Sequence, residues 1–574
     1  MLAHAVISFV ALAAHHQHTL LVLSTAVFLL WKLYIYPFHV SPLRRVPGPY
    51  FHRISTLPCI LAQHQNRWVR KIHTLHEQYG EIVLLGPHEV SCNGDLRYIN
   101  DIYVKNMPKL PFYKHFQNHG HDNVFSTVEN GPHLKYKKMM LGLYSKLAIL
   151  SNPATRDLLV LKAAQLVNRV HVSLVTALEP DWINARLEMN HNGKGHKEGS
   201  HEWLPQKLSS LGIDMYLLFG ALAMDVISAF ELGVKNGTDF LNDTYKRQIL
   251  VDFRTKELLT LGLMLLPLLH WLLAGPRIMG ASAAVEKWLL STFKSAEYDP
   301  ELSRPTTLSA LKKNGLRDKK AYSFLSDNLI AGHETSAIAL TYICYELSRP
   351  VNRFRQERLQ NEIREYFGAP DGSIIDAIEQ VDQLPYLEAL LKENFRVHTS
   401  GVGSMPRITP STYEVHTNNG PVELPKGTTV SCQAYSYHRK NDIFPHAESW
   451  IPERWLPQPG ELNEDYKLRK THMSKHLLHF GKGIRMCLGK DLALIDIKLA
   501  LVNLYWRYNS QISSDWCEVT QYEENVKVGN AVRLDGAKPL SNSDEEMMAM
   551  VDGLLAKPRC DECWLEWSLL GWKI

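Results

Sequence analysis

With 574 residues, 45% hydrophobic and 21% charged, the chain can bury a large core and is not disordered by composition. Its formal net charge of +4 is too small for this length to drive general nucleic-acid binding. Eight cysteines, Cys59, Cys92, Cys344, Cys432, Cys487, Cys517, Cys560 and Cys563, lack the density of a disulfide framework and point to a reducing compartment.

In chain order, the first 31 residues carry no Lys or Arg, and Leu20 to Leu30 run almost wholly apolar before Lys32. Continued through Leu33-Tyr34-Ile35-Tyr36, the run reaches about 17 residues, the short limit for a spanning helix whose lysine snorkels to the interface. Arg44 and Arg45 on its C-terminal side place the body of the protein in the cytoplasm. A cleaved signal peptide is the competing reading, but Met1 to His18 lacks the basic start that one needs. Residues 1–38 are therefore assigned to a membrane anchor with its main span at about 20–36, residues 39–50 to a hinge and 51–574 to the body. Val46-Pro47-Gly48-Pro49 in the hinge is a stiff turn.

Glu81 to Leu85 and Glu89 to Cys92 read as short strands around Gly86-Pro87, and most of the chain beyond them reads as helix. Residues 191–201 (HNGKGHKEGSH) are polar and without period, so a loop with solvated histidines is expected, and His472, His476 and His479 are likewise read as solvated rather than metal-bound. Residues 258–273 form a second apolar run, broken by Pro267 and His270, expected as a buried helix or one dipping into the interface. Tyr322 to Leu347 reads as a long helix around Ala331-Gly332-His333-Glu334-Thr335-Ser336. Glu393 and Arg396, at i,i+3, share one face of a further helix, with Pro452-Glu453-Arg454-Trp455 later in the chain.

The most specific segment is Phe480-Gly481-Lys482-Gly483-Ile484-Arg485-Met486-Cys487-Leu488-Gly489, which matches F-x-x-G-x-R-x-C-x-G at every fixed position. A thiolate serving as an iron ligand needs a loop whose backbone N–H groups point at the sulfur, and Gly483 and Gly489 permit a tight one. Asp491 to Tyr505 is periodic and apolar, so Cys487 precedes a helix whose N-terminus favours negative charge. Cys560 and Cys563 form one CxxC, without a second pair at metal-ligand spacing.

Taken together these motifs resemble the cytochrome P450 family over about residues 40 to 570, and the PFHVSPLRRVPGP, PERW and DECWLEW segments are similar to fungal microsomal members. The resemblance implies a mainly α fold with small β-sheets, preceded here by the N-terminal membrane anchor, and heme b ligated by Cys487. It implies that Arg485, His133, Lys137 and Arg407 hold the haem propionates, with Lys137 replacing the family's usual Arg and Lys135 or Lys138 as competitors. Glu334 and Thr335 then match the acid and alcohol of the oxygen-activation motif, and Glu393, Arg396 and Arg454 a structural charge network.

The chain carries no dinucleotide fingerprint, so electrons are expected from NADPH through a separate cytochrome P450 reductase, with Lys482 and Lys490 among candidate contacts. The implied activity is insertion of one atom of O2 into a lipophilic small molecule of fungal secondary metabolism, a terpenoid, polyketide or alkaloid, by a single-pass protein of the endoplasmic reticulum membrane. Xenobiotic detoxification, a reductase-independent haem-thiolate isomerase or dehydratase, and a non-catalytic membrane-bound haem or lipid-binding protein are the alternatives.

Overall fold

A computed structural model describes residues 19–176, 212–265, 275–299, 305–522, 529–532, 534 and 541–570. The expected loop at 191–201 and the part of the second apolar run beyond Leu265 lie outside them. The fold is mainly helical with small sheets, as the motifs implied.

The first helix, α1, runs Thr19–Val40, longer at both ends than the expected span, and its residues up to Tyr34 are exposed, with Pro37 its one buried residue. From Trp31 it widens into π-type turns around Pro37, which has no amide to donate to the helical ladder. By length and composition α1 is a candidate membrane anchor. The turn after it is docked on the body. Leu84 N donates to Pro47 O at 2.8 Å, and a Cβ on Gly48 would sit 2.9 Å from Leu84 Cβ and O. Glycine is needed there because the backbone lies directly on the first strand.

Strands β1 (Ile82–Gly86) and β2 (Glu89–Cys92) form the expected hairpin, antiparallel from Ile82 opposite Cys92. Two later strands complete the sheet: β3 (Arg407–Ile408) and β4 (Thr429–Ser431), in the order β1-β2-β4-β3 with β2 and β4 parallel. This places Arg407 in the edge strand, opposite Val430 of β4.

Six helices position the site: α2 (Asn130–Tyr144), α3 (Met215–Leu232), α4 (Gln248–Leu265), α5 (Asp318–Ser348), α6 (Pro385–Val397) and α7 (Lys490–Arg507). Helix α5 is central, 31 residues or about 46 Å long, and packs on α3, α6 and α7. Helix α3 is apolar and long enough to cross a membrane, but every one of its residues is buried, so it is a core helix. A mid-helix glycine costs about 1 kcal/mol relative to alanine, and Gly332 in α5 has a packing reason. A Cβ there would fall 2.9 Å from Ile227 Cγ1 of α3. The two helices approach through that missing methyl group.

Two histidine expectations are corrected. His476 is buried, and the ring of His479 stacks on Phe395 at 4.8 Å, so neither is solvated. Aromatic packing behind the cysteine loop accounts for His479, and His472 alone of the three is exposed. Cys563 is buried, and Cys560 Sγ lies 3.6 Å from Met547 Sδ.

Candidate active site

The cysteine loop closes on itself through Cys487 N donating to Phe480 O at 2.8 Å. Gly481 and Gly483 turn it, with φ of +69° and +67°. At Gly483 a Cβ would lie 2.3 Å from Tyr103 O, so conformation and contact both require glycine. Gly489 was expected to share that duty, but its φ is −84° and it is the cap of α7 instead. The amides of Gly489 and Lys490 are hydrogen-bonded to Cys487, the arrangement a thiolate needs. Burial pushes the Cys487 thiol up, with these amides, Lys137 and Lys490 opposing. It is nevertheless the one exposed cysteine of the eight. Cys487 is thus accessible although enough protein surrounds it to desolvate the thiol.

Basic groups from four separate segments converge beside this loop. Arg485 donates through Nη1 to Thr127 O (2.6 Å) and through Nη2 to Val128 O (2.7 Å) and Asn130 Oδ1 (3.0 Å). Arg407 donates to Tyr113 Oη (3.2 Å) and to the Met405 and Pro406 carbonyls. His133 on α2 is buried, and burial with the charges of Arg485, Lys109, Lys137 and Arg407 brings it down to about 3. Lys109, which no sequence motif singled out, is buried with its ammonium 4.1 Å from the Tyr113 ring centroid and 4.3 Å from that of Phe125. Burial, Arg485 and Arg407 push it down to about 6. The neighbouring carboxyl, Asp327 of α5, is raised by burial to about 7 and neutralises them poorly.

Lys137 departs from its expected place. Its Nζ donates to Ile484 O at 2.9 Å and to Met486 O at 2.6 Å, the carbonyls flanking Arg485 and Cys487. One ammonium on a flexible stem settles on the nearest carbonyl pair, where a planar guanidinium fork is shaped for a bidentate anion.

On α5, Asp327, Ala331 and Thr335 recur every four residues on one face, each at least partly accessible, as are Asn328, Ile330 and Gly332 between them. Thr335 Oγ1 donates to Ala331 O at 2.7 Å. Ala331 is the more exposed of the two small residues, and at Gly332 the space a Cβ would take is filled by Ile227. Glu334 is one position from Thr335 and therefore about 100° around the helix. Its carboxylate turns into the protein, where it accepts from Tyr216 Oη, pairs with Arg254 Nε of α4 at 3.2 Å and lies 3.5 Å from His333 Nε2. Burial alone would raise it, but Arg254 and His333 outweigh that and hold it down at about 2. The two neighbours of the motif thus face different surroundings, and no sequence signal pointed to Arg254 or Tyr216.

The charge network stands behind the loop with all members buried. Glu393 accepts from Arg396 Nη2 (2.7 Å) and Nε (3.0 Å) and from Arg454 Nε (3.0 Å). The expected triad is brought together, and Trp455 Nε1 adds a fourth donor at 2.9 Å.

The family model for cytochrome P450 matches residues 201–533, more than half of the chain. The chain belongs to the cytochrome P450 family. Its relatives include cytochrome P450 monooxygenase vrtE of Penicillium aethiopicum, 27% identical over 490 residues that cover 82% of this chain and 85% of the relative. Cytochrome P450 monooxygenase orf2 of Aspergillus niger is 25% identical, covering 81% and 86%, and an averantin hydroxylase of Dothistroma septosporum is 24% identical, covering 88% of each chain. The protein is accordingly a P450 monooxygenase, an oxidoreductase whose family carries haem ligated by a cysteine thiolate. The residues present fit that group. Cys487, accessible and with backbone amides hydrogen-bonded to it, suits the iron, and the buried, unpartnered atoms Arg407 Nε, Arg485 Nε and His133 Nδ1 suit a dianionic ring edge.

Proposed function

We propose that the protein is an NADPH-dependent fungal monooxygenase that hydroxylates a lipophilic secondary metabolite, of terpenoid, polyketide or alkaloid type, at the endoplasmic reticulum membrane. The observation that carries the site assignment is the accessible Cys487 beside four convergent basic groups whose neighbouring carboxyl, Asp327, is raised by burial to about 7. Cys487 would hold the iron of heme b, and Arg407 and Arg485, with His133 and Lys109 beside them, would hold its propionates by hydrogen bonds, charge-assisted at the two guanidinium groups. The haem, once bound, supplies the O2-cleaving chemistry that no amino-acid side chain provides.

Thr335 holds the donor proton at Oγ1 on the accessible face of α5, and Ala331 keeps that face open for small molecules. Glu334 acts behind it as an ionised carboxylate that relays protons, tied to Arg254 and Tyr216 and within the field of Lys557. Glu393, Arg396, Arg454 and Trp455 hold the segments that carry the cysteine loop. Residues 1–38 form the anchor, 39–50 the docked turn and 51–574 the catalytic body on the cytoplasmic side. The chain has no dinucleotide fingerprint, which supports a separate flavoprotein reductase as partner. The fungal relatives, one of them named as an averantin hydroxylase, support the substrate class.

The test reconstitutes the full chain with NADPH and a flavoprotein reductase, after a screen of those metabolite classes for substrate-induced spin-state shifts. Oxygenated product that requires the reductase is expected. Thr335→Ala should lower product formed per NADPH and release more peroxide, by about 10-fold or more in the product-to-peroxide ratio, less than the roughly 100-fold or more that full loss of a positioned proton donor costs. Turnover without reductase would point to an isomerase, and unchanged coupling in Thr335→Ala would remove that residue from the role.

A further inference from the structure

His133 and Lys137 lie one turn apart on α2, yet they face different partners. His133 is buried among Arg485, Arg407 and Lys109, whereas Lys137 reaches past them to the cysteine loop. Both of its hydrogen bonds end on that loop, 2.9 Å to Ile484 O and 2.6 Å to Met486 O. Met486 O belongs to the peptide group whose nitrogen is Cys487 N, the amide that closes the loop on Phe480 O. A pull on that carbonyl is therefore a pull on the peptide plane that sets where the sulfur points. The ammonium also acts electrostatically on Cys487 itself, one of the few side-chain charges that do.

We infer that Lys137 is a positioning residue for the Cys487 thiolate, setting its orientation and its electron donation to the iron, and is not a propionate grip. This rests on the haem-thiolate reading above. The geometry gives it two effects. The ammonium occupies two carbonyl oxygens beside the sulfur, offsetting the negative ends of their dipoles. It also sets one positive charge near a centre that becomes more negative on one-electron reduction, which favours the reduced form. Lysine suits this better than arginine because a single compact charge can sit between two carbonyls that diverge.

The experiment uses the full-length haem-loaded protein and three variants, Lys137→Met, Lys137→Gln and Lys137→Arg, with haem content, ferric/ferrous potential and ferrous–carbon monoxide spectrum read for each. Lys137→Met is expected to retain haem near the wild-type ratio. Its reduction equilibrium should fall by about tenfold, about 59 mV more negative for a one-electron couple, the partial exposure of the lysine keeping the effect at that scale. Under mild urea its red-shifted carbon monoxide form should convert to the unshifted form faster than wild type. Lys137→Arg keeps the charge and should restore the potential. Lys137→Gln keeps a neutral donor and loses the charge, so its potential must also move negative, which carries the test if the methionine variant fails to fold. An unshifted potential in Lys137→Met or Lys137→Gln overturns the inference. So does haem loss without a shift in the retained fraction, the signature of a propionate contact. A wild type with no red-shifted band would instead sink the thiolate reading, and this inference with it.

Discussion

Replacing Glu393 by alanine is expected to cost about 3–5 kcal/mol, the penalty for breaking a buried ion network from one side, and to yield protein that is mostly haem-free. Among the described residues Glu393 is the one carboxylate that Arg396 and Arg454 pair with, and it also accepts from Trp455 Nε1 and from Ile451 N at 2.8 Å. Its removal strips counter-charge from two buried guanidinium groups at once. Arg396 keeps its bonds to the His438, Ala447 and Ser449 carbonyls, which limits collapse but leaves the charge uncompensated. Burial alone would raise the Glu393 carboxyl, yet Arg396 and Arg454 hold it down at about 2. A depressed acid contributes stability that is fully present above its unfolded value and is lost as pH falls through its folded one. The network should therefore weaken only in strong acid, from about pH 4.5 towards 2. Denaturant unfolding and the haem-to-protein ratio of the variant check this, and a loss below about 1 kcal/mol would show the network to be ordinary surface electrostatics.

Arg254→Met should rank next in effect, with the opposite pH signature. Arg254 is the main counter-charge of Glu334, and its guanidinium also lies 3.7 Å from the Tyr216 ring centroid and donates weakly to Asp561 O. Without it, burial dominates and the Glu334 carboxyl moves above its ordinary value, although His333 and Lys557 still favour the ionised form. A buried acid with a raised folded value stabilises below the unfolded value and loses that contribution as pH rises through the folded one. The stability gap to wild type should then be small near pH 5 and widen towards pH 8, reaching about 3 kcal/mol. Unfolding free energies at the two pH values provide the comparison, and a gap that stays constant would place the effect in lost packing around Tyr216. The same variant should move the pH profile of product yield if the ionised Glu334 carboxylate relays protons behind Thr335.

The cysteine loop was legible in the sequence because its demands are local. Ligand, turning glycine and arginine lie within ten residues, and each is required by chemistry or backbone geometry at that spot. Glu393, Arg396 and Arg454 were legible for a different reason, since an i,i+3 pair with PERW downstream is a pattern with a family behind it. Lys109, Arg254 and Tyr216 were not, because nothing around them in sequence announces burial. They become site residues only when α3, α4 and the segment before α2 fold against α5. Lys137 shows a finer limit. The spacing from His133 put it on the correct helical face, but which of two nearby acceptors a flexible ammonium takes is decided by where the carbonyls of Ile484 and Met486 point. Gly332 and Gly489 show the converse, glycines whose reasons, a neighbouring Ile227 and a helix cap, lie in packing and not in the motif they belong to.

Every role assigned around the cysteine loop depends on Cys487 being an iron thiolate, and the ferrous–carbon monoxide spectrum of the full-length protein beside its Cys487→Ala variant decides that. A strongly red-shifted Soret band is expected in the wild type and should disappear in the variant. A histidine-type band in the wild type, or a red-shifted band that survives the loss of Cys487, would show that the iron is held elsewhere.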